Sequence, residues 1–298
     1  MIICGISYSL KMIAKCAINF FKYPASIKPN LNSKDVVRFP KVTICLNGMH
    51  SSKKIEQRYP GYGPVIRELY TGSFNDRPIS RNRTVNKMLD SVIYDDFINA
   101  TSNEFIIFGC RYMNTGCLKN WTMEFTRFGR CAVFNPDIDQ IGEKTAVGRK
   151  ASLSIVVGYN QSDANVGWYS FLSGVTMYYS SPSESFLDPL NSLSLPPETV
   201  PMLSVVQIHR KLLGPPYSTC VQNHSNFLSY FPVYTEDRCL HECLADVVIG
   251  VCDCIPQYLL PTRPVKKCTL LRHSVCISKV NPRFHSNSPC NQRMLLSC

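Results

Sequence analysis

Thr235-Glu236-Asp237-Arg238-Cys239-Leu240-His241-Glu242-Cys243 runs through Leu244–Val251 into Cys252-Asp253-Cys254-Ile255-Pro256, and this stretch decides how the rest is read. Leu240, Leu244, Val247, Val248 and Val251 recur at helical spacing, so residues 235–251 predict an amphipathic helix. Thr235 can cap it, and Glu236 and Asp237 suit the positive end of its dipole. Cys239 and Cys243 stand four apart and therefore share a face, able to bridge to one neighbouring segment. Gly250 is expected to loosen the helix end. Cys252 and Cys254 then suit an extended piece, in which i and i+2 point the same way.

Outward from this stretch, cysteine usage sets the compartment. Of 15 cysteines, Cys4 and Cys16 lie in an apolar N-terminus and 13 lie beyond it. A reducing cytosol would keep such thiols free, so their number argues for an oxidising, extracellular setting and a disulfide framework. Zinc fits poorly, because Cys252-x-Cys254 is too tight to place two ligands on one tetrahedral ion. With 298 residues, the chain can bury a sizeable core without relying on its bridges. Its net charge of +11 is scattered in pairs such as Arg81/Arg83, Arg149/Lys150 and Lys266/Lys267. That distribution reads as a solvated basic surface, and no nucleic-acid partner is expected. Five glycosylation sequons, at Asn82, Asn99, Asn120, Asn160 and Asn223, all lie beyond residue 80 and suit a lumenal body.

Met1–Phe21 is apolar but interrupted by Lys11 and Lys15. Residues 1–22 are read as the outer part of a membrane helix, with an ordinary amphipathic helix left equally open. Residues 36–45 read as a strand and 51–65 as a Gly/Pro-rich polar loop. From Val65 to about Phe108 the pattern is mainly helical, with Leu69, Met88, Leu89, Val92, Ile93 and Phe97 at suitable spacings. Strands are expected around residues 123–134, 151–159, 175–179 and 205–208, the last after a Ser- and Pro-rich loop at 180–201.

Several pieces, in order, resemble the degenerin/epithelial sodium channel family, which includes the acid-sensing channels. Phe20, Phe21, Tyr23 and Pro24 precede Phe39-Pro40-Lys41-Val42-Thr43-Ile44-Cys45, similar to the family's F-P-x-V-T-x-C. Gly129-Arg130-Cys131-Ala132-Val133-Phe134-Asn135 resembles its G-x-C-x-x-F-N, and Pro215-Pro216-Tyr217-Ser218-Thr219-Cys220 its P-P-x-G-x-C. Cys239-x3-Cys243 followed by Cys252-Asp253-Cys254-Ile255-Pro256 resembles its C-x-x-x-C and C-x-C-x-P. The resemblance covers about residues 20–290. It implies an α+β, disulfide-rich extracellular domain at 23–298, with an antiparallel β palm and ball and a helical finger and thumb.

It also implies the pairs Cys45–Cys131, Cys110–Cys117, Cys252–Cys276 and Cys254–Cys268. Cys220, Cys239 and Cys243 should meet a downstream cysteine group that is incomplete here. Cys290 is the plausible partner of Cys243, while Cys239 and Cys220 compete for Cys298. Tyr217 would pack against Tyr23 or Phe21 at a gating wrist. Because the family's second membrane helix and its G-x-S filter have no counterpart before Cys298, the sequence reads as a fragment or an incomplete gene product.

The function implied is a subunit of a ligand- or mechanically gated sodium channel, amiloride-sensitive in type. It would be a homo- or hetero-trimer at the plasma membrane with most of the chain outside. Proton gating needs close carboxylate pairs, and Asp95/Asp96 and Glu236/Asp237 are the only adjacent ones. The alternative is a secreted or tethered cysteine-rich binding protein derived from a channel. No catalytic, cofactor or metal site is expected: no hydrolase, zinc-protease or phosphate-loop motif occurs, and His241, Glu242 and Cys243 point apart on a helix.

Overall fold

A computed structural model describes residues 2–22, 39–71, 82–134, 152–160, 162–163, 173–181, 192–204, 216, 228–231, 234–259, 264–277 and 280. Lys41–Leu46 forms β1, and all six of its residues are buried. A strand buried on both faces needs a neighbour along each edge, and β1 has two antiparallel ones. Thr43 pairs with Val133 of β5 (Gly129–Phe134) and with Tyr178 of β7 (Val175–Ser180). With β4 (Trp121–Thr126) outside β5 and β8 (Ser192–Leu195) outside β7, the sheet order is β4-β5-β1-β7-β8. Gly129 turns the β4–β5 hairpin at φ 91°, a conformation open to glycine.

A second, three-stranded sheet has β2 (Phe105–Tyr112) between β3 (Thr115–Gly116) and β6 (Leu153–Tyr159). The β2–β6 register slips by one residue, from Ile107↔Val157 to Gly109↔Val156, which leaves Phe108 as the extra residue of a bulge. Phe105 before the bulge and Cys110 and Tyr112 after it pack into the core shared with Val42, Ile44 and Phe134.

Four of the helices share one core. α2 (Ser52–Arg58), α3 (Gly63–Thr71), α4 (Arg83–Ser91) and α5 (Tyr94–Thr101) bury Ile55, Ile66, Leu69, Leu89, Phe97 and Ile98 together. α6 spans Glu236–Cys252, and Ala245, Val248, Cys252 and Cys254 form a separate core with Ile255, Leu259 and Cys268. The one-turn α7 (Leu270–Arg272) runs into a π turn at His273–Ile277. α1 covers Ile2–Phe21, and no helix of the described residues is long and apolar enough to cross a membrane.

Several local expectations are corrected. Part of the expected loop at 51–65 is α2, because Ser51 accepts from Lys54 N at 3.0 Å and Ile55 is an anchor only 1% exposed. The helical reading to Phe108 runs into β2, whose Phe105-Ile106-Ile107-Phe108 run has no period of its own. The loop at 180–201 contains β8, formed by pairing on the outer edge of β7 rather than by propensity. α6 passes Gly250 and ends at Asp253, which adopts the left-handed conformation at φ 52° and donates its N–H to Ile249 O. Cys252 therefore ends a helix instead of sharing an extended piece with Cys254. The strand expected at 205–208 lies outside the described residues.

Candidate functional site

Residues 90–95, at the junction of α4 and α5, meet the bridged segment that follows α6. Cys254 and Cys268 are joined, as are Cys252 and Cys276, so the chain from 252 to 276 is tied twice to the end of α6. Between the ties, Ile255 N donates to Lys266 O at 2.9 Å and Cys268 N to Ile255 O at 3.4 Å. The outer edge of this short ladder is offered to α5: Tyr94 N donates to Cys268 O at 2.9 Å and Leu270 N to Val92 O at 2.8 Å. Thr269 both caps α7 through Arg272 N and donates its hydroxyl to Asp90 Oδ1 at 2.8 Å.

Two polar devices lock the contact. Asp95, 4% exposed, accepts from Gln257 N at 3.1 Å and lies 3.8 Å from Lys267 Nζ. Burial raises its carboxyl pKa; the Gln257 N–H and the Lys267 ammonium pull it back, and Asp96 adds only a minor upward push. Tyr94 lies flat on His273, with ring centroids 3.4 Å apart at 8°, and Tyr258 Oη meets His273 Nε2 at 3.2 Å. Burial raises the phenol pKa of both tyrosines, so both stay neutral. The arrangement ties α5 to the bridged segment that follows α6.

On α6, the Glu242 carboxylate is occupied by two backbone donors, Ser229 N at 2.9 Å and Tyr230 N at 3.0 Å. His241 packs on Phe231 with centroids 5.7 Å apart, and burial lowers its pKa. Among the described residues, no group of His, Cys, Asp and Glu could hold a metal ion.

The remaining cysteines and sequons are spread over the body. Cys45 is bonded to Cys131 across β1 and β5, and Cys110 to Cys117 around the β2–β3 hairpin. Cys243 is disulfide-bonded and buried, and Cys239 is buried one turn before it on α6. Cys220, Cys290 and Cys298 lie outside the described residues, as do Tyr217, Tyr23 and Asn223. Phe21 ends α1 and is 68% exposed. Asn82, Asn99 and Asn160 are exposed, and Asn120 is half-buried in a 3-10 turn. Asn82 also caps α4, accepting from Thr84 N at 2.9 Å.

Sequence reasoning missed His50, which is fully buried between Tyr70 and Phe97. Thr101 Oγ1 donates to Phe97 O, so it accepts from His50 Nδ1–H at 2.8 Å. That leaves Nε2 as a bare acceptor without a partner among the described residues. Burial lowers the His50 pKa to about 3. Its position between Met49 and Ser51, just past a strand, carries no sequence signal of such burial.

The profile of the family described as amiloride-sensitive sodium channel matches residues 1–298. The mouse (Mus musculus) bile acid-sensitive ion channel is 23% identical over 289 residues, covering 92% of this chain and 57% of that protein. Acid-sensing ion channel 1C of Danio rerio is 22% identical over 306 residues, covering 91% of this chain and 56% of that protein. The epithelial sodium channel subunit alpha of Cavia porcellus is 25% identical over 207 residues, 62% of this chain and 30% of that protein. The chain thus spans a little over half the length of the first two relatives.

Proposed function

The chain belongs to the amiloride-sensitive sodium channel family, and from that membership we propose that it is a subunit of a ligand- or mechanically gated sodium channel. It assembles as a homo- or hetero-trimer at the plasma membrane. Residues 1–22 lie at the membrane and 23–298 form an extracellular domain with a β palm and ball, a helical finger and a disulfide-braced thumb. In this reading α4 and α5 belong to the finger, and α6 with its bridged segment is the thumb.

The observation that carries the reading is the grip of residues 90–95 on Cys268–Leu270, a rigid contact between two helical units. A stimulus that moves one unit must move the other, and Tyr217 with Tyr23 or Phe21 passes the movement to the membrane. Two of the relatives reported above are named for sensitivity to bile acid and to acid and the third for epithelial sodium, so similarity to them fixes no single stimulus for this chain. With Asp95 held by Gln257 and Lys267 and Asp96 exposed, a peptide, proteolytic or mechanical stimulus fits this chain better than acid.

The test is to extend the transcript at both ends, express its product and record sodium current with and without amiloride. An amiloride-blocked sodium current is expected. Tyr217→Ala should then abolish gating at unchanged surface expression. A product that reaches the surface and carries no current, alone or with related subunits, would overturn the channel reading in favour of a tethered binding protein.

A further inference from the structure

α2 and α3 are joined by a short turn, and a cleft of about 480 Å³ opens between them. That is the size of a small-molecule site, roughly 300–1,000 Å³. Ile55, 1% exposed, closes its floor, and Pro64 in the first turn of α3 forms an apolar wall. Both acids on the cleft are engaged from within the fold. Glu56 turns back on the α2–α3 turn and accepts from Gly61 N at 2.8 Å. It lies so close to Gly63 that a methyl group there would come within 2.7 Å of its Oε2. Asp163, past the end of β6, holds the start of α2. Its carboxylate accepts from Ser51 Oγ and from Lys53 N, the latter at 2.9 Å, and Ser52 N donates to its carbonyl at 3.3 Å.

The two cations are disposed differently. Arg67 reaches from α3 across the cleft and donates from Nη2 to Ser52 Oγ over a long 3.4 Å, which brings its guanidinium to the end where Lys53 stands. The Lys53 side chain is exposed, and its ammonium has no ion pair among the described residues. Two cations against the one carboxylate of Asp163 leave this end positive, while Ile55 and Pro64 lie on the side of Glu56 and Gly63.

We propose that this cleft binds a small amphipathic carboxylate, its acid head on Arg67 and Lys53 and its apolar body over Pro64 and Ile55. Charge decides the ligand class. A guanidinium presents its N–H donors in a planar fork matched to a carboxylate, and a long bond to a neutral hydroxyl is readily exchanged for a charge-assisted one. A cationic ligand would find the carboxylates of Glu56 and Asp163 already turned to donors of the fold. The inference goes beyond the channel reading, since binding at this cleft needs neither a pore nor a trimer.

Titration calorimetry on the full 298-residue chain, its disulfides formed, tests it with naphthylacetate and its uncharged amide, naphthylacetamide, which share one apolar body. The acid should bind, and the amide should bind at least about 10-fold more weakly, as loss of a charge-assisted hydrogen bond requires. Arg67→Gln and Lys53→Gln should each weaken the acid by a similar factor and leave the amide unchanged. Both side chains are exposed, so the urea midpoint should not move. Lys87→Gln, exposed on α4, should alter neither ligand. Equal affinity for acid and amide would overturn the charge assignment, and acid binding left intact by both cleft variants would overturn the place. Tighter binding of zwitterionic naphthylalanine than of naphthylacetate would overturn the ligand class. Absence of saturable acid binding at millimolar concentration would overturn the site itself.

Discussion

The disulfides Cys45–Cys131 and Cys254–Cys268 have similar Cα separations, 4.5 and 4.9 Å, yet they sit in opposite surroundings. Cys45 continues the ladder in which Ile44 faces Ala132, and its strand is paired along both edges. The Phe128 and Tyr178 rings stack beside it, 4.9 Å apart at 17°. Between Cys254 and Cys268 the segment itself supplies one isolated parallel bridge, Ile255↔Lys267, and two backbone hydrogen bonds, and Cys268 O accepts a third from Tyr94 N of α5. In the sheet the covalent bond duplicates a ladder. Beside α6 it stands in for one, and the surface that α5 grips depends on it. The first acts mainly on the unfolded chain, whereas the second also shapes the native one.

Removing the sheet bond should have the largest effect on global stability. Cys45→Ala with Cys131→Ala opens a closure of 86 residues and should cost about 4–5 kcal/mol in a denaturant titration. Amide exchange in β1 should still require global unfolding, because the ladder remains. Early exchange there would erase the contrast between the regions.

Acid should weaken the helical core beside the sheet next most. His50 has a folded pKa of about 3 against 6.5 unfolded, so the folded state binds fewer protons between those values. Stability is therefore full above pH 6.5 and falls on acidification, by about 3 kcal/mol from pH 7 to pH 4. Urea midpoints at the two pH values measure this, and His50→Phe should flatten the difference.

Cys254→Ser with Cys268→Ser opens a closure of only 14 residues, worth about 3 kcal/mol globally. Its distinctive effect is local: the Tyr94 and Leu270 amides should exchange through an opening that leaves the sheet protected. If both regions loosen together, the second bond is not the local clamp described. The smallest effect belongs to Asp95. Its folded pKa is raised, so the folded state binds more protons and stability falls as pH rises from the unfolded value of 3.8 through the folded one. Asp95→Asn keeps an acceptor for Gln257 N and should remove that slope, which runs opposite to that of His50.

What the sequence made legible follows from where the information is local. The cap at Thr235 and the helical period of α6 are written in adjacent residues, and Thr235 does accept from Arg238 N at 3.2 Å. The F-P-x-V-T-x-C segment is compact enough to mark β1 and the family together. α2 and β8 were not legible, because a buried Ile55 and a free edge on β7 create them from outside. The same holds for the contact at residues 90–95. Asp90, Tyr94 and Asp95 look like ordinary helix residues until Thr269, His273 and Gln257 arrive from more than 160 positions away. Asp95/Asp96 stood out as an acidic pair, but burial rather than mutual repulsion perturbs Asp95.

The bulge at Phe108 makes β2 a counting device. Because side chains alternate, the extra residue switches the parity of the strand, so that Phe105 and Cys110 both face the core although five positions separate them. Phe108 is turned outward over Gly158, where a methyl group would come within 2.1 Å of its ring. Losing Phe108 alone would make the strand regular, with Phe105 and Cys110 four residues apart and still on one face, whereas losing one residue while the bulge stays would turn Cys110 away from Cys117. In descendants of this chain, a one-residue gap in β2 should therefore fall at the bulge, and Gly158 should remain glycine wherever an aromatic ring lies across it.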